Sequence, residues 1–236
     1  IFLSLLFATS ISILFQIKDN FKLVKNFQFI EVKEFFSKIK KNLPLVLVQL
    51  STFAYGGFSR ILMESKYSME DLGIYSAGWQ IILVITIFQA QVVKVWRTKL
   101  SHSIIHKDSN LKSLLKSYFY FSTIPVIVFG SFVGLFSERI INLMFSDEYL
   151  VLVNLLPIFA AYFIVINLNS LASIFWISSG NKNLFLGISI TFTIILMGLL
   201  YKLPVESGLN VFAGIVVGMH FISVCFLLTI FYFKFR

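Results

Sequence analysis

Runs of about twenty apolar residues, separated by short polar connections, constrain this chain more than any other feature. A stretch of that length crosses the ~30 Å hydrocarbon core of a bilayer as a helix. A partial run occupies residues 1–16, and six more lie at about 43–63, 72–93, 115–136, 150–175, 183–201 and 209–233. The runs are continuous and lack the period-two alternation of barrel strands, and only helices or closed barrels satisfy their backbone in lipid. The expected fold is all-α: a polytopic helical membrane protein. Composition agrees, because 58% hydrophobic residues, 28 Phe and 13% charged residues stand well outside the globular range of about 45–50% apolar and about 25% charged. An ordinary soluble domain is excluded.

Orientation follows from where the basic residues fall, since cytoplasmic loops are enriched in Lys and Arg. Alternate connections hold Lys18, Lys22, Lys25, Lys33, Lys38, Lys40 and Lys41, then Lys94, Arg97, Lys99, Lys107, Lys112 and Lys116, then Lys182, then Lys234 and Arg236. The opposite side holds only Arg60, Lys66, Arg139 and Lys202, together with Glu64, Glu70, Asp71, Glu138, Asp147, Glu148 and Glu206. This asymmetry predicts a cytoplasmic basic side, a cytoplasmic C-terminus and a tight outer turn over 64–71. It also accounts for the net charge of +9 through contact with an anionic leaflet, with no nucleic acid as partner.

Residues 17–42 form the longest polar connection. Within it Val32, Phe35, Phe36 and Ile39 follow the i, i+3, i+4, i+7 spacing of an amphipathic helix, with charges on the other faces. A cytoplasmic linker with an interfacial helix is expected there, and Pro44 is expected to open the next span. No Met starts the chain, and residues 1–15 are apolar with no basic residue ahead of them, unlike a signal peptide. The N-terminus is therefore expected to be cut from something longer. The single Cys225 permits no intrachain disulfide.

No glycine-rich phosphate loop, paired cysteines or intramembrane carboxylate pair appears, so an enzyme is not expected. His102 and His106 stand four residues apart without a third ligand nearby, so no metal site is expected. Polar residues at membrane depth are more telling, because they are costly there and face a bundle interior or a hydrated cavity. Ser76, Gln80, Leu83, Ile87, Gln91 and Lys94 recur at steps of three or four and define one helical stripe. Arg60, Gln80, Gln91 and Lys94 are the first candidates for substrate binding; Gln49, Asn167, Asn169 and His220 are the second. Gly130–Gly134 and Gly214–Gly218 are small-xxx-small pairs read as helix packing. Pro125 and Pro157 are read as kinks or fixed bends.

Five segments, taken in order, resemble the polysaccharide (O-antigen type) flippases of the multidrug/oligosaccharidyl-lipid/polysaccharide exporter superfamily. They are LPLVLVQL (43–50), SRILMESKYSMEDLGIYSAGWQI (59–81), ERIINLMFSDEYLVLVNLLPIFA (138–160), SSGNKN (178–183) and LPVESGLNVFAG (203–214). The resemblance implies a MATE-like second half. Residues 1–16 would be the last helix of a missing N-terminal lobe, 17–42 the linker, and 43–236 a six-helix C-terminal lobe.

By the same resemblance, the full protein would sit in a bacterial cytoplasmic (inner) membrane. It would flip an isoprenoid-pyrophosphate-linked oligosaccharide by alternating access, for lipopolysaccharide or other surface polysaccharide. Its partners would be the lipid-linked oligosaccharide, membrane lipids and the missing lobe. It would need no cofactor, with Na⁺ or H⁺ coupling left open. Rival readings are a multidrug or cation antiporter, a peptidoglycan-precursor flippase, a membrane-embedded glycosyltransferase or polymerase, and a non-transporting remnant.

Overall fold

The computed structural model describes residues 32–235, and the partial run at 1–16 and the linker residues 17–31 lie outside them. The chain divides into two units, 1–43 and 44–236. Helix α1 spans Val32–Phe53, passes through a π turn at Ala54–Phe58 and continues as α2, Ser59–Glu64. Next come α3 (Met69–Ile105) and α4 (Leu111–Tyr118), a second π turn at Phe119–Thr123, then α5 (Ile124–Leu135) and the short α6 (Ser137–Met144). Helices α7 (Leu152–Ser178), α8 (Lys182–Lys202) and α9 (Gly208–Phe235) complete the chain. Five segments, Lys33–Glu64, Leu111–Leu135, Leu152–Ser178, Lys182–Lys202 and Val205–Lys234, are long and apolar enough to cross a membrane. The protein is an all-α polytopic membrane protein.

The remaining expected run, 72–93, falls inside α3 and is not among those five. At 37 residues, α3 is about 55 Å long, well beyond the ~30 Å of hydrocarbon. Its second half carries Lys94, Arg97 and Lys99. Two local expectations change. Pro44 does not open a helix, because α1 begins at Val32 and runs unbroken past it. The acidic residues Glu70 and Asp71 belong to the first turn of α3 instead of the preceding turn. There they complement the helix dipole. Ser68 caps that helix: its Oγ accepts from the Asp71 N–H at 3.1 Å, while Asp71 accepts from the Ser68 N–H at 3.3 Å, a reciprocal box that satisfies two orphan donors.

Helix α7 is the hub and packs against α3, α5 and α9. Glycines make two of these approaches possible. A Cβ on Gly78 would lie 2.6 Å from the Phe159 ring and 2.9 Å from Leu152, and one on Gly130 would lie 3.1 Å from the Ala160 carbonyl oxygen. The Gly130–Gly134 pair therefore packs α5 on α7, as its spacing predicts. The Gly214–Gly218 pair does not act this way, since an added Cβ at either position meets nothing within 4 Å among the described residues. At the seam of α3, α7 and α9, Tyr75, Trp79, Phe159 and Phe212 meet edge to face, the geometry aromatic quadrupoles prefer. Large side chains on the outer faces, such as Phe121, Leu135 and Phe233, remain exposed. Lipid tails cover such surface without penalty.

The charge asymmetry of the sequence corresponds to the two ends of this bundle. At one end Ser101 of α3 meets Ser178 of α7 at 2.8 Å, and Lys234 of α9 donates to Asn181 at 2.8 Å. The α7–α8 turn there is a Schellman motif, with Asn181 N–H bonded to Trp176 O and Gly180 N–H to Ile177 O, both at 3.1 Å. Gly180 supplies the required positive φ of 76°, a conformation that suits glycine.

At the opposite end Lys66, in the α2–α3 turn, donates to the carbonyls of Leu200 (3.1 Å) and Leu203 (2.9 Å) and also to that of Tyr201. A cation is thereby placed on the orphan carbonyls at the C-terminus of α8, where the dipole favours it. Substitution Lys66→Met is expected to destabilise the protein by about 1–2 kcal/mol. The check is thermal unfolding in detergent, with Lys66→Arg retaining most of the wild-type midpoint.

Candidate functional site

Two adjoining cavities lie between α3 and α7. The larger, about 660 Å³, is walled by the end of α1, the first π turn, α2, α3, α7 and α9. Gln49, Arg60, Asn169 and His220 all line it. The smaller, about 370 Å³, is lined by Gln89, Gln91, Lys94 and Arg97 of α3 and by Ser170 of α7. Thr86, Ala90 and Ile166 line both, so the two form one groove with a hydrogen-bonding part and a cationic part.

The π turn shapes the first part. A π turn inserts a residue into the helix and redirects the side chains that follow. Gly56 and Gly57 fall within it, and a Cβ on Gly56 would lie 2.6 Å from the Trp79 indole. The missing side chain lets Trp79 lie against the turn. Arg60, half-buried one turn later, folds back so that its Nε donates to Gly56 O at 2.8 Å. That bond uses one of the five guanidinium donors. His220 is buried at 3% exposure, stacks on Tyr55 at 4.2 Å between ring centroids and pairs through Nδ1 with the Tyr162 hydroxyl at 3.0 Å.

In the cationic part, Gln91, Lys94 and Arg97 are exposed, whereas Gln89 is 7% exposed and neither end of its amide has a hydrogen-bond partner among the described residues. The ion pair found among the described residues is Lys38–Glu34 at 2.8 Å, so Lys94 and Arg97 face the groove without a carboxylate partner. No Asp or Glu lines either cavity among the described residues.

Of the candidates read from sequence, the structure brings Gln49, Arg60, Asn169 and His220 to one cavity and Gln91 and Lys94 to its neighbour. Gln80 is exposed and lines neither. Asn167 stands apart and fully buried. Its Nδ2 donates to Ser122 Oγ at 2.8 Å, and its Oδ1 accepts from Thr123 Oγ1 at 3.1 Å and from the Tyr118 hydroxyl at 3.3 Å. The side chain is thus occupied in tying α7 to the second π turn.

Substituting Asn167→Leu is expected to destabilise by about 2 kcal/mol, taking three interhelical bonds at ~0.6 kcal/mol each as found within bilayers. The soluble-protein figure would be larger. Unfolding in detergent tests this. Thr86, Gln89, Tyr162 and Ser170 also line the groove and were not singled out by the sequence; only the pairing of Gln89 with Gln91 offered a signal. His102 and His106 rings lie 4.3 Å apart, and among the described residues no three His, Cys, Asp or Glu side chains are grouped to hold a metal.

Among known proteins, the chain is similar to the "Lsg locus putative protein 1" of Haemophilus influenzae. The two are 28% identical over 156 residues, which cover 58% of this chain and 39% of that protein. The chain therefore spans well under two thirds of the relative's length. No protein-family model matches the chain, and no solved structure matches it.

Proposed function

We propose that the chain forms part of a membrane transporter, a flippase. It moves an isoprenoid-pyrophosphate-linked oligosaccharide from the inner to the outer leaflet of a bacterial cytoplasmic membrane for O-antigen or related surface polysaccharide. The observation that carries this reading is the joined groove. A hydrogen-bonding part with Gln49, Asn169 and His220 adjoins a cationic part with Lys94 and Arg97, and no carboxylate lines either among the described residues. Such a groove suits a sugar attached to a pyrophosphate, since amides and hydroxyls bond sugar hydroxyls and paired cations offset phosphate charge.

The basic end faces the cytoplasm by the positive-inside rule, so Lys94 and Arg97 lie where the charged head first enters. Alternating access then carries the head toward Arg60 and the acidic end. On this reading the protein transports its cargo unchanged, as no enzyme does, and its energy comes from a coupling ion, Na⁺ or H⁺, with no cofactor. Leu83 and Ile87, which line the larger cavity and are exposed, face the N-terminal lobe that on this reading completes the transport path.

A cation antiporter of the same superfamily is the second reading, and the carboxylate-free lining argues against it, because a desolvated organic cation needs a negative partner. The test is deletion of the full-length gene in its host, with lipid-linked oligosaccharide and drug tolerance measured together. Accumulation of the intact lipid-linked repeat with loss of surface polysaccharide is the expected result. Normal polysaccharide with heightened drug sensitivity would replace the flippase by the antiporter.

A further inference from the structure

A third cavity, about 210 Å³, lies on the other side of Gln89 from the cationic groove. Phe121, Ser122, Pro125, Val126 and Phe129 of the second π turn and α5 line it, with Val92 and Gln89 of α3; the Ser122 hydroxyl already accepts from Asn167. Phe121 and Phe129 are exposed on its outer side. Gln89 lines this apolar slot and the cationic groove alike. It is more than nine-tenths buried, and its amide nitrogen and oxygen are both without a partner among the described residues. Burying an amide without hydrogen bonds is costly, so a residue kept this way at the boundary of two cavities marks a ligand contact.

The geometry points to a hydrocarbon-chain site: the slot between α3 and α5 holds the first part of the isoprenoid chain of a lipid pyrophosphate. The head of that lipid lies on Lys94 and Arg97, and Gln89 bonds the oxygens where head and chain meet. The occupant follows from complementarity. Two cations without a carboxylate partner among the described residues call for an anionic head on one side, and on the other a lining of Phe, Val and Pro, whose one hydroxyl, Ser122, is engaged by Asn167, suits an apolar chain. The amide between them donates through Nε2 to a phosphoryl oxygen and accepts through Oε1. This inference rests on the proposed lipid-linked substrate and adds where its chain leaves the protein.

The test uses the full-length protein in lipid nanodiscs, with a photoreactive benzoyl-phenylalanine introduced at Val92 or Phe129 in the slot, at Leu83 in the larger cavity, or at Leu135 on the outer face. The probes are a radiolabelled polyisoprenyl pyrophosphate and a radiolabelled phosphatidylethanolamine at equal mole fraction. Capture of the pyrophosphate lipid at positions 92 and 129, several-fold above the phospholipid, is expected, and Lys94→Gln with Arg97→Gln abolishes that preference. Substitution Gln89→Leu lowers capture about tenfold, as loss of one charge-assisted hydrogen bond predicts, and leaves the melting temperature equal or higher. Gln89→Asn restores part of the capture.

A fall in melting temperature without a change in capture would make Gln89 merely structural and overturn the inference. Equal capture of both lipids at 92 and 129 would overturn it too, by making the slot a place for bulk lipid. Capture at position 83 but not at 92 or 129 would overturn the chain site and leave the flippase reading intact. A pyrophosphate lipid that fails to bind the nanodisc protein at all would overturn both.

Discussion

On the proposed flippase reading, cells carrying Lys94→Glu together with Arg97→Glu are expected to lose surface polysaccharide entirely while the protein still reaches the membrane in normal amount. Both side chains line the 370 Å³ cavity and neither is paired with a carboxylate among the described residues. Each charge-assisted bond to a phosphate is worth about 1.5–3 kcal/mol, or roughly tenfold to a hundredfold in affinity. Removing two, and replacing them with charges that repel the head, multiplies the losses. The exposed position of both side chains leaves the helix contacts intact, so folding and insertion should not suffer. The informative control is Lys94→Arg with Arg97→Lys, which preserves charge and should keep most of the activity. If the glutamate variant exports normally, the cationic groove is not the head site. If the charge-preserving variant fails as badly, geometry and not charge governs the groove.

Substitution Gly78→Leu is expected to unfold the seam between α3 and α7. A Cβ there would already stand 2.6 Å from Phe159 and 2.9 Å from Leu152, and both partners are fully buried, so neither ring nor methyl can retreat into open space. Overpacking of this kind costs about 1–3 kcal/mol, and three further carbons beyond the Cβ push toward or past the upper end. The larger cavity is built on the same helices, so substrate binding should fall with stability. Fluorescence-detected size exclusion after heating measures the effect. The double variant Gly78→Leu with Phe159→Ala should recover part of the loss, because the two sites share one volume and their effects are not additive. A Gly78→Leu protein with an unchanged melting profile would mean that α3 and α7 are not held at this distance.

The groove was partly legible beforehand. Arg60, Gln91, Lys94, Gln49, Asn169 and His220 all line it because an ionisable or amide side chain in an apolar run has few favourable places except a cavity. Gln80 shows where that logic stops. Its stripe was drawn from steps of three or four, and Leu83, Ile87 and Gln91 on it do line the groove, but at Gln80 the neighbouring Gly78, Trp79 and Ile82 take the packed face of α3 and leave the amide outside. Asn167 shows the other limit: a polar side chain can be consumed by neighbours, and its partners Tyr118, Ser122 and Thr123 are more than forty residues away in the chain.

The sequence by itself determined the class of fold, five of the six apolar runs expected within the described residues and the uneven charge of alternate connections, while the run at 72–93 became part of a longer helix outside those five. Each depends on quantities additive along the chain: run length against bilayer thickness, and loop charge against the leaflet. Only the tertiary structure decided how each helix is rotated, which glycines are contacts and which are not, and that two π turns redirect the side chains around Arg60 and Asn167. Those choices come from steric fit between segments distant in sequence. A Cβ on Gly130 would press on Ala160, while one on Gly214 would meet nothing within 4 Å among the described residues, although both belong to the same spacing pattern.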